Sequence, residues 1–170
     1  MTNISQKKLF LLDAYALIFR SYYAFIKNPR ITSKGLNTSA IFGFLLTLEE
    51  VLQKQKPTHI AVVFDTPTPT FRHEMFKEYK ANRDETPEDI KKAVPYIKKL
   101  IEAYKIPVLA CPGFEADDVI GTLARKATEK GFVTYMMTPD KDFAQLVSES
   151  VFMFKPSRSG NESVLWGVED

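Results

Sequence analysis

Three apolar runs in this chain each lead to an aspartate. KLFLLD ends at Asp13, HIAVVFD at Asp65 and FVTYMMTPD at Asp140. Asp142 follows shortly after, and Glu115, Asp117 and Asp118 crowd together in PGFEADDV. If the runs are strands of one open parallel sheet, ligands bind outside their carboxyl ends. Neighbouring strands lie about 4.8 Å apart, so aspartates at those ends can converge on one crevice. Seven carboxylates (Asp13, Asp65, Glu115, Asp117, Asp118, Asp140, Asp142) cannot all stay ionised together without raised pKa values or bound cations. Hard oxygen ligands suit Mg²⁺ or Mn²⁺. Zinc is disfavoured, because His59 and His73 are the only imidazoles and neither lies among the acids. Carboxylate-held Mg²⁺ with open positions serves phosphoryl chemistry, in which two metals clamp the attacking and leaving oxygens.

Taken singly, each acid has a plainer explanation. Glu115, Asp117 and Asp118 can complement a helix dipole, and an aspartate after a strand is commonly a turn residue. It is the agreement of three strand ends with one helix start that favours a metal site.

Cations and aromatics gather elsewhere. Net charge is only +2, but Lys7, Lys8, Arg20, Lys27, Arg30 and Lys34 face the single acid Asp13 within residues 1–34. Arg20 can contact phosphate, and Tyr22 or Tyr23 can stack on a base; periodicity does not choose between the tyrosines. FRHEMFKEYKANR (71–83) sets Arg72, Lys77, Lys80 and Arg83 among Phe71, Phe76 and Tyr79. As a helix it would place Phe76, Tyr79 and Lys80 on one face with Arg83. Such a segment suits a passing nucleic-acid strand, and equally an ordinary amphipathic helix with solvated cations.

The elements that must position these residues alternate along the chain. Strands are expected at 8–13, 59–65, 106–111, 132–140, 151–154 and 163–166. Helices are expected at 17–25, 40–53, 87–104 and 115–130, with Thr86 capping the third, Pro87 as its first residue and Gly131 stopping the fourth. The polar, charged stretch 66–86 is too long for a simple connection and reads as functional. The alternation predicts an α/β fold with a mainly parallel sheet and helices on both faces.

Composition bounds the rest. The 170 residues make one domain's worth, 45% hydrophobic and 26% charged, with 13 Phe and 7 Tyr, which excludes a disordered chain. One cysteine, Cys111, permits no internal disulfide and fits a reducing compartment. No apolar run approaches a membrane span, and the N-terminus lacks a signal-peptide pattern. The chain ends soon after the last strand, from which a fragment is expected.

LLDAYALIFRSYYAF, VVFDTPTPTFRHEMFKEYKANR, PGFEADDVIGTLA and TPDKDFAQLV together resemble the flap endonuclease family, in the branch found as the N-terminal 5′ nuclease domain of bacterial DNA polymerase I. The resemblance covers about residues 7–166 and implies a three-layer, PIN-like α/β fold. It implies a 5′→3′ exonuclease or flap endonuclease that takes DNA with 5′ flaps, nicks or RNA primers in replication and repair. It also implies two divalent cations, Mg²⁺ or Mn²⁺, held by Asp13, Asp65, Glu115, Asp117, Asp118, Asp140 and Asp142. Lys80 and Arg83 match catalytic basic residues on an arch-like insertion, 66–86. Arg20 and Tyr23 match a position near the 5′ end of the substrate, and Arg72 joins them as a substrate-binding residue. A cytoplasmic, nucleoid-associated monomer with polymerase domains in the full-length chain is the implied setting. The family continues into a helix–hairpin–helix-type DNA-binding region and further aspartates, so 1–170 reads as a truncated nuclease domain expected to cut poorly alone. A stand-alone PIN-like ribonuclease and a non-catalytic nucleic-acid-binding module are the alternatives. Against the second, a binder gains nothing from crowding anions beside phosphate.

Overall fold

The computed structural model describes residues 6–81, 84–156 and 163–169. β1 (Lys8–Asp13) runs directly into α1 (Ala14–Ala24), because Asp13 caps that helix: its Oδ1 accepts from the Ala16 N–H at 3.3 Å. α2 (Ser39–Glu50) continues as a π-helical turn (Val51–Gln55) that stops at Lys56 in a left-handed conformation, and β2 (His59–Val63) follows. α3 (Phe71–Met75) is a single short helix, α4 (Glu88–Ala103) a long amphipathic one, and β3 (Val108–Leu109) a brief edge strand. α5 (Ala116–Glu129), β4 (Val133–Met137), a 3₁₀ helix (Lys141–Leu146), β5 (Val151–Lys155) and β6 (Val164–Trp166) complete the described elements.

The six strands form one sheet in the order β3-β2-β1-β4-β5-β6. All pairs are parallel except β5 with β6. Side-chain alternation divides two cores between the faces. Phe10, Leu12, Val62, Phe64 and Met137 pack under α1, α2 and α4 with Ile18, Phe44, Ile97 and Ile101. Leu11, Ala61, Val63, Met136 and Met153 pack under α5 and the 3₁₀ helix with Ile120, Ala124 and Phe143. Three layers result, as expected. Strand order reverses between β1 and β4, which is where an open α/β sheet forms its crevice.

Some expectations need correction. The strand expected at 106–111 shrinks to Val108–Leu109; it has one neighbour, and Pro107 and Pro112 offer no N–H to extend the pairing. α4 begins at Glu88, because Pro87 itself is extended at ψ 138°, so Thr86 is not the cap. α1 begins at Ala14 rather than Leu17. The segment 71–83 is not one helix: α3 buries none of its residues, so nothing favours its continuation, and Phe76 is extended (φ −144°, ψ 103°). Phe76, Tyr79 and Lys80 therefore share no helical face. Gly131 does stop α5. At φ 72° it donates to the Thr128 carbonyl at 2.9 Å, while the Phe132 N–H reaches Ala127 O at 3.0 Å.

Candidate active site

A cleft of about 250 Å³ opens at the carboxyl edge of the sheet, lined by Asp13, Asp65, Glu115, Asp117 and Asp140, with Lys80 also on its wall. Each acid has its own anchor. Leu12 pairs with Met137 across β1 and β4, so Asp13 and Thr138 come next on adjacent strands. The buried Thr138 hydroxyl donates to Asp13 Oδ2 at 3.1 Å and accepts from the Asp140 N–H at 3.2 Å. Asp65, just past β2, accepts from the Ala116 N–H at 2.7 Å, which ties the start of α5 to the cleft. Asp140 caps the 3₁₀ helix through the Asp142 N–H at 3.0 Å. Asp117 accepts from the Asp118 N–H at 2.7 Å.

Asp118 and Asp142 do not line this cleft. Asp142 is exposed on the 3₁₀ helix. Asp118 lines an adjoining hollow, which Asp117 shares, with Arg72 and Arg125. Arg72 holds Asp118 in a bidentate pair, Nη1 to Oδ2 at 2.6 Å and Nη2 to Oδ1 at 2.8 Å. The Glu115 N–H donates to the same Oδ2 at 3.0 Å. Above, Lys80 Nζ lies 2.7 Å from Glu115 Oε1, and the Tyr79 hydroxyl donates to Oε2 at 3.2 Å. Lys80 reaches down from a left-handed backbone conformation, φ 58°.

The acids are therefore unequal. Burial lifts the Asp13 carboxyl to about 6, against the pull of the Ala16 N–H and Thr138, with Asp65 and Asp140 adding to the rise. Asp117 is also raised, by partial burial first and then by its acidic neighbours. Asp118 moves the other way, held below its ordinary value chiefly by the Arg72 hydrogen bonds. Tyr15, on the cleft wall, is raised by burial and by Asp65.

Among the basic and aromatic candidates, Arg20 donates to the Pro156 carbonyl at 3.2 Å, linking α1 to the end of β5. Tyr23 is 54% exposed and stacks on Phe19, which lines the cleft, while Tyr22 packs against the core. That separates two tyrosines that periodicity could not. Arg83 lies outside the described residues. Sequence reasoning missed Thr138 and Tyr15, and it singled out Tyr79 as an aromatic of the basic segment, not as a partner of Glu115. Only Thr138 had a local signal, standing two places before Asp140 at a strand end.

Carboxylate oxygens are donors of the kind a hard divalent cation takes, and five of the acids open on one cleft. Among the described residues, no three of them are gathered closely enough to hold an ion in this conformation. Glu115 and Asp118 are instead held by Lys80 and Arg72.

Fold and site together define an α/β protein with an acid-lined cleft at the switch point of its sheet. Residues 8–167 match the family model described as "5'-3' exonuclease, N-terminal resolvase-like domain", and the chain belongs to that family. It is 43% identical over 150 residues to a 5'-3' exonuclease of Aquifex aeolicus, covering 88% of this chain and 51% of that protein. It is 45% identical over 143 residues to DNA polymerase I of Synechocystis, covering 82% of this chain and 14% of the relative. The chain thus spans about half the length of the first relative and a small part of the second. A bacteriophage T5 flap endonuclease, solved with DNA and metal ions, shares the fold with a TM-score of 0.64 at 22% identity, over 87% of this chain and 54% of that one.

Proposed function

We propose that the cleft is the active site of a metal-dependent, structure-specific 5′ nuclease that hydrolyses phosphodiesters in DNA bearing 5′ flaps, nicks or RNA primers. The observation that carries this reading is the meeting of Asp13, Asp65, Glu115, Asp117 and Asp140, from two strand ends, a strand–helix junction and a helix start, beneath Lys80. Those five would hold the divalent cations, Mg²⁺ or Mn²⁺, with Asp118 and Asp142 as further carboxylate ligands. Bound there, the cations supply an activated water and stabilise the leaving oxygen. The protein's own part is to position and to neutralise. Lys80 at the cleft wall holds the scissile phosphate, joined by Arg83. Tyr23, exposed beside Phe19, stacks on a base near the 5′ end, and Arg20 and Arg72 face the phosphates of the same strand. The insertion 66–86, of which 66–81 and 84–86 are described, serves as the arch over that strand. In the whole protein the domain works in the cytoplasm as part of a monomer that carries polymerase domains. The relatives named DNA polymerase I support the polymerase domains of this setting.

The test is cleavage of a 5′-labelled DNA flap and of a single-stranded RNA by excess protein, in Mg²⁺, Mn²⁺ and EDTA. Metal-dependent release of the DNA flap, with the RNA left intact, supports the proposal. Cleavage confined to the RNA points to a PIN-like ribonuclease instead.

A further inference from the structure

Arg72 and Lys80 reach the cleft acids from a segment that has almost nothing else to hold it down. α3 buries no residue, Met75 is 82% exposed and Phe76 58% exposed. What fixes the segment is polar. Arg72 forks onto Asp118 and lies 3.8 Å from Glu115 Oε2; Lys80 and Tyr79 both bind Glu115. His73 packs edge-on against Tyr79, with ring centroids 5.2 Å apart, and closes the turn. Lys80 does this from φ 58°, a conformation that an L residue adopts at a cost and gives up readily when its partner is lost. The two carboxylates so occupied, Glu115 and Asp118, flank Asp117 at the start of α5.

We propose that Arg72 and Lys80 form an internal counter-ion latch: they occupy the Glu115 and Asp118 carboxylates, compete there with divalent cations, and release the 71–81 segment when a cation displaces them. The latch rests on the metal-site reading above and adds a linkage to it. The carboxylates serve either the cations of the segment or the metal, so metal loading frees the segment and its guanidinium and ammonium groups for a phosphate strand. Phe71 is the pivot: its N–H donates to the Gly113 carbonyl at 3.3 Å, and its ring lies 5.9 Å from that of Phe114. These contacts do not involve the acids.

Two readouts test the latch. A nitroxide at Met75→Cys, in a Cys111→Ser background, reports segment mobility as Mg²⁺ is added, and electron paramagnetic resonance of free Mn²⁺ gives metal affinity. The latch predicts that Mg²⁺ mobilises the label, and that Arg72→Gln mobilises it without metal. It also predicts that Arg72→Gln tightens Mn²⁺ binding on the order of tenfold, because apparent affinity is reduced by the fraction of sites held closed. Arg72→Lys, which keeps charge but loses the fork, should fall between. If Mn²⁺ binds but the label does not respond, or if Arg72→Gln weakens Mn²⁺ binding, Arg72 merely supports the site and the latch is wrong while the metal reading stands. If Mn²⁺ binds neither protein, both readings fall.

Discussion

Asp13 and Asp118 look alike in the sequence, each an acid at the edge of an element, yet their surroundings give them opposite pH behaviour. Asp13 titrates near 6 in the folded protein against an ordinary value of 3.8. Between those values the folded state binds more protons than the unfolded one, so stability from this group is lost as pH rises through that window and stays lost above it. Asp13→Asn should therefore stabilise the metal-free protein at pH 7, by roughly 2–3 kcal/mol at most, and change little near pH 3.5. Urea unfolding in EDTA at both pH values checks this; an equal effect at both would show that the carboxyl is not buried as described. For Asp118 the sign reverses. Its value is depressed, so the Arg72 pair contributes stability at neutral pH that disappears as pH falls through the lowered value. Asp118→Asn should lower the melting midpoint at pH 7 and lose its effect in acid. None of this is legible locally, because what decides it, the burial of Asp13 and the Arg72 partner of Asp118, exists only once the sheet has folded.

At the scale of elements, periodicity served well where burial decides and poorly where it does not. The apolar runs KLFLLD and HIAVVFD, and the helical spacing from Ile90 to Ile101, reappear as strands buried on both faces and as the buried stripe of α4. The edge strand β3 and the 71–81 segment, which bury little, departed from expectation. Another feature that periodicity hides is the close approach of α1 and α2 at Gly43. A Cβ there would sit 2.7 Å from Ser21 Cβ and 3.2 Å from Ser21 Cα. Ser21 is buried, and its hydroxyl bonds the Leu17 carbonyl at 2.7 Å, so it has no room to yield. Gly43→Ala should cost about 1–3 kcal/mol through overpacking, outweighing a helix-propensity gain of about 1 kcal/mol. Chemical denaturation measures the sum. Pairing it with Ser21→Gly should recover part of the loss, whereas Ser21→Ala, which keeps the Cβ, should not.

For the whole molecule, the strand order explains why acids distant in sequence meet. β1 lies between β2 and β4, so the ends of all three open on one edge, and α5 begins at that edge, tied to Asp65 through the Ala116 N–H, which sets Glu115 and Asp117 there. The sequence motifs announced this convergence, since three apolar runs leading to aspartates need only a parallel sheet to place them together. They could not announce that Lys80 and Arg72 would close over two of the acids, which depends on a turn that no periodicity encodes. The central claim is that this edge is a divalent-cation site, and thermal melting measures it most directly. A ligand held only by the folded state at about 100 times its dissociation constant adds about 2.7 kcal/mol, a rise of roughly 5 °C or more for a chain of this size. Mn²⁺ should raise the midpoint of the wild-type protein by that order relative to EDTA, and Asp65→Asn or Asp140→Asn should abolish most of the rise. Midpoints that coincide in Mn²⁺ and EDTA would contradict the claim.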